Sequence, residues 1–247
     1  MRLKKDCLQF CREAEVEKII KKYSIFNQYP INLNGALVNS LQAIWYKDRR
    51  EVTVDEYEMF YEHLANTKIP HKYMLHYSAD VPLQIRGIFY IPGQHSEQMQ
   101  MFQEDLKLHL YSRKVLIKEN CVELVPQYLR FVKGVVDCED LPLNISRETY
   151  QDSALIGRLK NVVTRRILKF IEDEMKKDPK EYNNWFKDFQ IFLKEGVMSD
   201  TENQEQLLRL MRYGSSLLNS TETVSLDDYV SSMKEGQKKI YYLAGNP

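Results

Sequence analysis

The segment from Asp140 to Gln151 carries the residues best placed for chemistry. Arg147 stands at or next to the start of a predicted helix, where free backbone N–H groups and partial positive charge collect. A cation is unfavourable there, whereas a phosphate is favoured, and arginine offers a phosphate a forked pair of donors. Gln151 lies one turn further along the same helix face, and Asn144 precedes Arg147 in the loop. This spacing predicts that Asn144, Arg147 and Gln151 can converge on a phosphate oxygen.

A purely structural interpretation of the same segment remains open. Ser146 can cap the helix, and Arg147 can pair with Glu139 or Asp140 instead of binding a ligand. The sequence contains neither of the two common glycine-rich phosphate loops, so nothing else in it supplies a nucleotide site. The acidic run that includes Asp137 could form a carboxylate site, but it is more typical of a solvent-exposed turn.

A strand and a long helix must position this loop. Residues 125–136 are mainly apolar, which predicts a helical turn followed by a strand that ends near Val136. After the loop, apolar residues recur at spacings of three and four, which predicts a helix from about Arg147 to Lys177. Pro179 marks the end of that helix.

The rest of the chain is predicted to alternate between strands and helices. The other predicted helices cover residues 6–23, 54–65, 180–195, 202–213 and 226–233. The other predicted strands cover residues 29–33, 42–45, 73–77, 83–91, 108–117 and 239–243. This order predicts an α/β (α+β) fold, in which a layered α/β segment is followed by a helical linker and the start of a smaller α/β segment.

Local signals make some of these elements specific. The pair Asn34 and Gly35 predicts a two-residue hairpin turn, and Gly196 predicts a helix end. The aromatic side chains of residues 180–195 fall at helical spacing, so they are predicted to pack in a core rather than to bind a partner. A lone strand at residues 239–243 needs a partner, and we expect it either to fray or to pair with another chain.

The composition argues against several functional classes. The 247 residues carry 35 Lys and Arg against 35 Asp and Glu, and a net charge of zero argues against a dedicated nucleic-acid binder. No run approaches the ~20 apolar residues that a membrane-spanning helix needs. Cys7 and Cys11 are close in sequence, but no second pair or nearby histidine completes a zinc set. We therefore predict free thiols and no metal site.

Residues 131–151 resemble the most distinctive stretch of the middle domain of the heat-shock protein 90 chaperones. Residues 111–117, 210–213 and 239–243 resemble further stretches of the same domain, and the resemblance covers essentially the whole chain. Within this family, residues 32–35, 41–45 and 82–92 look most like the mitochondrial branch, the tumour-necrosis-factor-receptor-associated protein type.

The resemblance implies a role for the loop. In the family, the arginine of the Leu-Asn-(Leu/Ile)-Ser-Arg-Glu motif, here Arg147, reaches the γ-phosphate of ATP held by an N-terminal domain. Gln151 and Asn144 match the glutamine and asparagine that accompany it. The full-length chaperone would be an ATPase with ATP and magnesium as cofactors. This chain alone would neither hold ATP tightly nor hydrolyse it, because the glutamate that activates water belongs to the N-terminal domain.

The resemblance also implies an organisation and a set of partners. Residues 1–24 would be a junction helix leaving the nucleotide-binding domain, residues 25–178 a larger α/β segment, residues 179–206 a helical linker and residues 207–247 an incomplete smaller α/β segment. Partners would be client proteins, the protein's own N-terminal and C-terminal domains and a second copy in a homodimer, with no nucleic acid and no membrane. The location would be the mitochondrial matrix, although no transit segment is recognisable.

Two other functions compete with this interpretation. The first is the transducer domain of a DNA-acting ATPase with a similarly split site, but such proteins use a lysine as the phosphate sensor. The neutral charge and the motif around Arg147 disfavour it. The second is a non-catalytic protein-interaction domain in which Arg147 forms a structural ion pair.

Overall fold

The computed structural model describes residues 4–26, 29–39, 42–67, 69–95, 97, 106–141, 153–216, 218 and 222–244. The chain divides into two compact units, residues 1–164 and residues 165–247. The boundary between them falls inside the longest described helix. Each unit is therefore considered by itself.

Strands dominate the first unit and helices the second. The described α-helices are α1 (Glu13–Ser24), α2 (Val54–Ala65), α3 (Ser153–Lys177), α4 (Pro179–Ser199), α5 (Gln204–Leu210) and α6 (Leu226–Ser231). The described strands are β1 (Asn32–Leu33), β2 (Ala36–Leu37), β3 (His71–Ala79), β4 (Ile85–Pro92), β5 (Lys107–Ser112), β6 (Val115–Lys118), β7 (Lys133–Cys138), β8 (Tyr213–Gly214) and β9 (Thr223–Val224). Short 3₁₀ helices cover Lys5–Cys11, Ile44–Tyr46, Val122–Leu124 and Gln127–Leu129. These elements confirm the predicted α/β (α+β) class.

The main sheet of the first unit has five strands in the order β3-β4-β7-β5-β6. The central strand β7 runs antiparallel to β4 and parallel to β5. Every residue of β7 is buried, as expected for a strand that is covered on both faces. The chain therefore enters the predicted phosphate loop from the most enclosed strand of the sheet.

One face of this sheet packs against α2 and the 3₁₀ helix Ile44–Tyr46. A capping box begins α2, in which the Thr53 hydroxyl accepts from the Glu56 amide at 3.2 Å and the Glu56 carboxylate accepts from the Thr53 amide at 2.9 Å. The Trp45 ring lies 5.6 Å from the Phe60 ring and holds the two elements together. The buried cluster comprises Phe26, Ala43, Ile44, Trp45, Val52, Tyr57, Phe60, Tyr61, Leu64, Ala65, Ile88, Tyr90, Tyr111, Leu116 and Val135.

Gly134 allows β7 and β4 to approach closely. A Cβ atom at this position would collide with the carbonyl oxygen of Ile88 and come within 3.1 Å of the Phe89 Cα. Both of these are backbone atoms of β4, so no side-chain rotation would relieve the collision. The residue at this point of the central strand must therefore be glycine.

The tight turn at Asn34 and Gly35 is confirmed, since both residues have positive φ, +50° and +89°, and they join β1 to β2. The predicted strand at residues 42–45 is wrong, because this segment includes the 3₁₀ helix Ile44–Tyr46 instead. Short apolar runs suit a buried turn as well as a strand. The predicted helix at residues 6–23 is interrupted at Arg12, whose extended backbone separates a 3₁₀ helix from α1.

The prediction of one strand at residues 108–117 is also wrong. The segment is a hairpin, in which β5 and β6 are joined by Arg113 and Lys114. Both turn residues have positive φ, +49° and +66°, which two-residue hairpin turns require. Such turns normally carry glycine or asparagine, so the sequence offered no local signal for a turn here.

Aromatic side chains form the core of the second unit. The Trp185 and Phe189 rings are stacked with their centroids 4.6 Å apart, and the Tyr182 hydroxyl donates to the carbonyl oxygen of Leu210 at 2.8 Å. Tyr182, Trp185 and Phe189 are all buried. The prediction that the aromatic residues of α4 form a core is therefore confirmed.

Two boundaries in the second unit differ from the predictions. Gly196 does not end its helix, since α4 continues to Ser199 and Gly196 is buried within it. The helix predicted at residues 202–213 is shorter, because α5 ends at Leu210 and Tyr213 pairs with Val224 in the small β8–β9 sheet.

The strand predicted at residues 239–243 is wrong for this chain, since the structure assigns no strand there. Tyr241, Tyr242 and Leu243 are 73%, 91% and 96% exposed. The Tyr241 amide donates to the Tyr229 hydroxyl at 3.2 Å, a contact with a side chain and not with a neighbouring strand. This matches the expectation that the segment takes no place in a sheet within the chain.

Candidate functional site

The three residues predicted to contact phosphate, Asn144, Arg147 and Gln151, lie outside the described residues. Their predicted roles therefore stay predictions. The structure describes the chain up to Leu141 on one side of the loop and from Ser153 on the other. These two flanks form the candidate site, because they determine the positions of the two ends of the loop.

Asp137, near the carboxyl end of β7, is the centre of the first flank. Its carboxylate accepts three hydrogen bonds, from the Trp45 indole Nε1 at 3.1 Å and from the backbone amides of Arg113 and Lys114 at 2.8 Å each. Asp137 is fully buried. The interpretation of this acidic run as a solvent-exposed turn is therefore wrong for Asp137, which lies inside the strand.

This carboxylate stabilises the β5–β6 turn. Arg113 and Lys114 both adopt left-handed backbone conformations, which cost a residue other than glycine about 1 kcal/mol or more. The two amide groups that the turn exposes inside the protein are satisfied because both donate to the Asp137 carboxylate. A residue 23 positions away in sequence therefore determines the conformation at Lys114.

The protonation of Asp137 reflects two opposing effects. Burial raises the pKa of its carboxyl group above the ordinary value, and this is the larger effect. The hydrogen bonds from Trp45 and from the two backbone amides act in the opposite direction, because each stabilises the ionised carboxylate. The hydrogen-bonding partners of Asp137 are all donors, so they favour the ionised carboxylate, which can only accept.

The first residues of the loop are tied to both neighbouring strands. The Glu139 amide donates to the Gln84 carbonyl oxygen at 3.1 Å, and the Gln84 amide donates to the Asp140 carboxylate at 2.8 Å. On the other side, the buried hydroxyl of Ser112 donates to the Leu141 carbonyl oxygen at 3.2 Å. The chain leaves the sheet from a base that is fixed as far as Leu141.

A cluster of charged side chains surrounds Tyr46 beside this base. Its ring lies 5.0 Å from the Arg86 guanidinium and 4.5 Å from the Lys114 ammonium, both within cation–π range. The Tyr46 hydroxyl donates to Glu139 at 3.3 Å, and Arg86 lies 3.6 Å from the same carboxylate. Burial, with Asp137 and Glu139 nearby, raises the pKa of Tyr46, so it remains a phenol and a donor.

Sequence reasoning missed this cluster, because its members come from four separate segments. Asp137 and Glu139 were recognised only as acids, while Trp45 and Tyr46 were assigned to a strand and its flank. The one signal in the sequence was the position of the two acids directly before the predicted phosphate loop. The pairing of β5 with β7 brings Lys114 to Asp137, and periodicity in one segment cannot reveal that pairing.

The second flank of the loop is the start of α3. The described helix runs from Ser153 to Lys177, and the predicted helix start at Arg147 lies outside the described residues. Leu159 and Val163 are fully buried one turn apart, so the first described turns of α3 are anchored by apolar contact.

No group of three or more metal-binding side chains occurs in the described part of the chain. None of the described helices is long and apolar enough to cross a bilayer. The four cysteines are free thiols, and burial raises the pKa of the Cys121 thiol to about 12. The Cys121 thiol therefore stays protonated at neutral pH.

The sequence of this chain is similar to those of known proteins. The family described as Hsp90 protein matches residues 32–247. The chaperone protein HtpG of Desulfitobacterium hafniense is 41% identical over 245 residues, covering 99% of this chain and 40% of the relative. The mitochondrial heat shock protein 75 kDa of Rattus norvegicus is 42% identical over 244 residues, covering 98% of this chain and 35% of the relative. The mitochondrial TNF receptor-associated protein 1 homolog of Dictyostelium discoideum is 42% identical over 245 residues, covering 98% of this chain and 34% of the relative.

Proposed function

Because this chain belongs to the Hsp90 family, we propose that it is the middle segment of an ATP-dependent molecular chaperone. The observation that carries the proposal is the family match over residues 32–247, which includes both β7 and the loop with Arg147. The chain spans between 34% and 40% of the length of the three relatives named above, so the remaining functions of such a machine are assigned to regions outside it.

In this proposal, Arg147 contacts the γ-phosphate of ATP that is held by the N-terminal domain. Its guanidinium stabilises the negative charge that develops on the transferred phosphoryl group. Gln151 and Asn144 assist by donating to phosphate or by orienting the loop. Bound ATP supplies the phosphoryl group and magnesium neutralises part of its charge, but the residues that hold them lie in the N-terminal domain.

The fixed base of the loop supports this role. Charge stabilisation works well only when the donor is held in place before the reaction, because reorganising it costs free energy. Asp137, Ser112 and Gln84 bind the backbone on either side of the departing strand. A loop that starts from such a base can present Arg147 in a reproducible position, as a phosphate contact needs.

Several properties follow for the whole protein. The catalytic glutamate lies in the N-terminal domain, so this chain alone does not hydrolyse ATP. The full-length protein forms a homodimer, couples ATP turnover to binding unfolded client proteins and takes part in the stress response. Neither DNA nor a membrane is a partner. We place the protein in the mitochondrial matrix, since two of the three relatives named above are mitochondrial by name, while the third is bacterial.

The decisive experiment replaces Arg147 in the full-length protein. We expect Arg147→Ala to lower ATP turnover about 100-fold or more while nucleotide binding is retained, because the lost contact acts mainly in the transition state. Arg158→Ala, which removes an exposed arginine from α3, is the matched control and should leave turnover unchanged. Turnover is measured by phosphate release, and binding by calorimetry.

Other outcomes would contradict specific parts of the proposal. Unchanged turnover in Arg147→Ala would reject the phosphate role and favour a structural ion pair. ATP hydrolysis by this chain alone would reject the division of the site between two domains. Salt-dependent binding of DNA to the chain would favour a DNA-acting ATPase instead.

A further inference from the structure

A cavity of about 560 Å³ opens between α1, α2 and the β5–β6 hairpin. This volume falls within the range of about 300–1,000 Å³ typical of small-molecule sites. Its apolar lining is formed mainly by buried side chains of the core: Phe26, Phe60, Leu64, Tyr111, Leu116 and Val135. The floor of the cavity is therefore suited to an apolar or aromatic body.

The rim of the cavity is positively charged. Lys18, Lys21 and Lys22 of α1 line it, at a spacing that places all three on one helix face. Lys22 pairs with Glu119 at 2.7 Å, and Glu119 is the one acid among the lining residues. Lys18 has no ion pair with any described residue. The rim thus carries more positive than negative charge and holds an ammonium group that is available to a ligand.

Two further donors line the same cavity. Tyr111 is only 6% exposed, and its hydroxyl makes no hydrogen bond to any described residue. Its ring is held 5.9 Å from that of Phe26 and 5.1 Å from that of Trp45. An acceptor bound in the cavity would therefore gain a hydrogen bond from this hydroxyl.

His109 is the second of these donors. Its Nδ1 accepts from the Asn120 amide at 3.1 Å, which leaves the Nε2–H group available. Burial lowers the pKa of His109, so the ring is neutral at pH 7 and this tautomer is the one required. The ammonium, the phenol and the imidazole all lack an acceptor, which a single anionic group would provide.

We propose that this cavity binds a small amphipathic anion, with an aromatic or branched apolar body on the floor and one carboxylate served by Lys18, Tyr111 and His109. Such a ligand would touch α1, α2 and the β5–β6 hairpin together. Binding would therefore stabilise the packing of α1 on the sheet, which the Lys22–Glu119 pair and Phe26 now maintain. The proposal is independent of the role of Arg147.

The test titrates naphthalene-2-carboxylate into this chain by calorimetry, with the neutral naphthalene-2-carboxamide as the matched probe. We expect saturable binding of one acid per chain, and binding of the amide about tenfold weaker, since a charge-assisted hydrogen bond is lost. Lys18→Met and Tyr111→Phe should each weaken binding of the acid several-fold. Lys187→Met, which removes an exposed lysine of α4, should not change it.

Hydrogen exchange provides a second measurement that does not depend on the variants folding. The bound acid should slow exchange of amides in α1 and in the β5–β6 hairpin, and leave α4 unchanged. No binding of the acid, equal affinity for acid and amide, or full affinity in both Lys18→Met and Tyr111→Phe would overturn the proposal. Protection confined to residues outside the cavity lining would also overturn it.

Discussion

β7 and the tail at residues 239–243 were both predicted to be strands, yet only β7 is a strand in the structure. β7 pairs on both sides and every one of its residues is buried. The tail has no strand partner among the described residues, and Tyr242 and Leu243 are almost fully exposed. The difference does not come from β-propensity, since both segments are rich in apolar or aromatic residues.

The comparison shows what a strand needs besides its own sequence. A strand exposes a row of amide and carbonyl groups on each edge, and only neighbouring strands can satisfy them away from water. β7 pairs with β4 and β5, whereas the tail pairs with no described strand. In β7 the pairing also places Asp137 where it can accept three hydrogen bonds.

The largest expected effect concerns Asp137. Asp137→Ala leaves two backbone amides and the Trp45 indole without their acceptor, so we expect the free energy of unfolding to fall by about 3–5 kcal/mol. The loss is measured from hydrogen exchange of the sheet amides at increasing urea. Asp137→Asn retains an acceptor oxygen and should lose less.

The matched control is Asp80→Ala, because Asp80 is exposed. Its effect should stay within about 0.5 kcal/mol. If Asp137→Ala proved as mild as Asp80→Ala, the hydrogen bonds at the end of β7 would not be what distinguishes it from the tail.

A second, somewhat smaller effect concerns the packing of β7 against β4. Gly134→Ala drives a methyl group into the β4 backbone, and we expect a loss of about 2–4 kcal/mol in the free energy of unfolding. Gly157→Ala is the control with the opposite sign. Gly157 lies in α3 with open space around it, so alanine should stabilise the protein by up to about 1 kcal/mol. Equal effects of the two changes, measured by urea unfolding, would show that the close approach at Gly134 is unimportant.

The smallest effect is expected in the tail. Replacing Tyr242 and Leu243 together by serine should change the free energy of unfolding by less than about 0.5 kcal/mol, because both side chains are already in solvent. The same change should reduce binding of a hydrophobic dye, since an exposed apolar patch is removed. A loss of stability of about 1 kcal/mol or more, which is the mean effect of a point mutation, would show that the tail has a partner within this chain.

The fold class and the positions of most helices could be predicted from local patterns. The spacing of apolar residues in α3 and of aromatic residues in α4 marks helices with one buried face, and Asn34 with Gly35 marks a turn. These features depend on interactions within a few residues. Elements that depend on distant partners, such as the 3₁₀ helix at Trp45 and the hairpin at Arg113, were predicted wrongly.

The same distinction between local and distant interactions applies to the candidate site. The motif containing Asn144, Arg147 and Gln151 is local, and the sequence by itself predicted a phosphate loop, which stays a prediction, and indicated the Hsp90 family to which the chain belongs. Only the tertiary structure decided how the base of that loop is held. Asp137 and Trp45 are far apart in the chain and meet because the sheet and the core bring them together. A hydrogen bond between distant segments depends on the packing of everything between them, so no local pattern could reveal it.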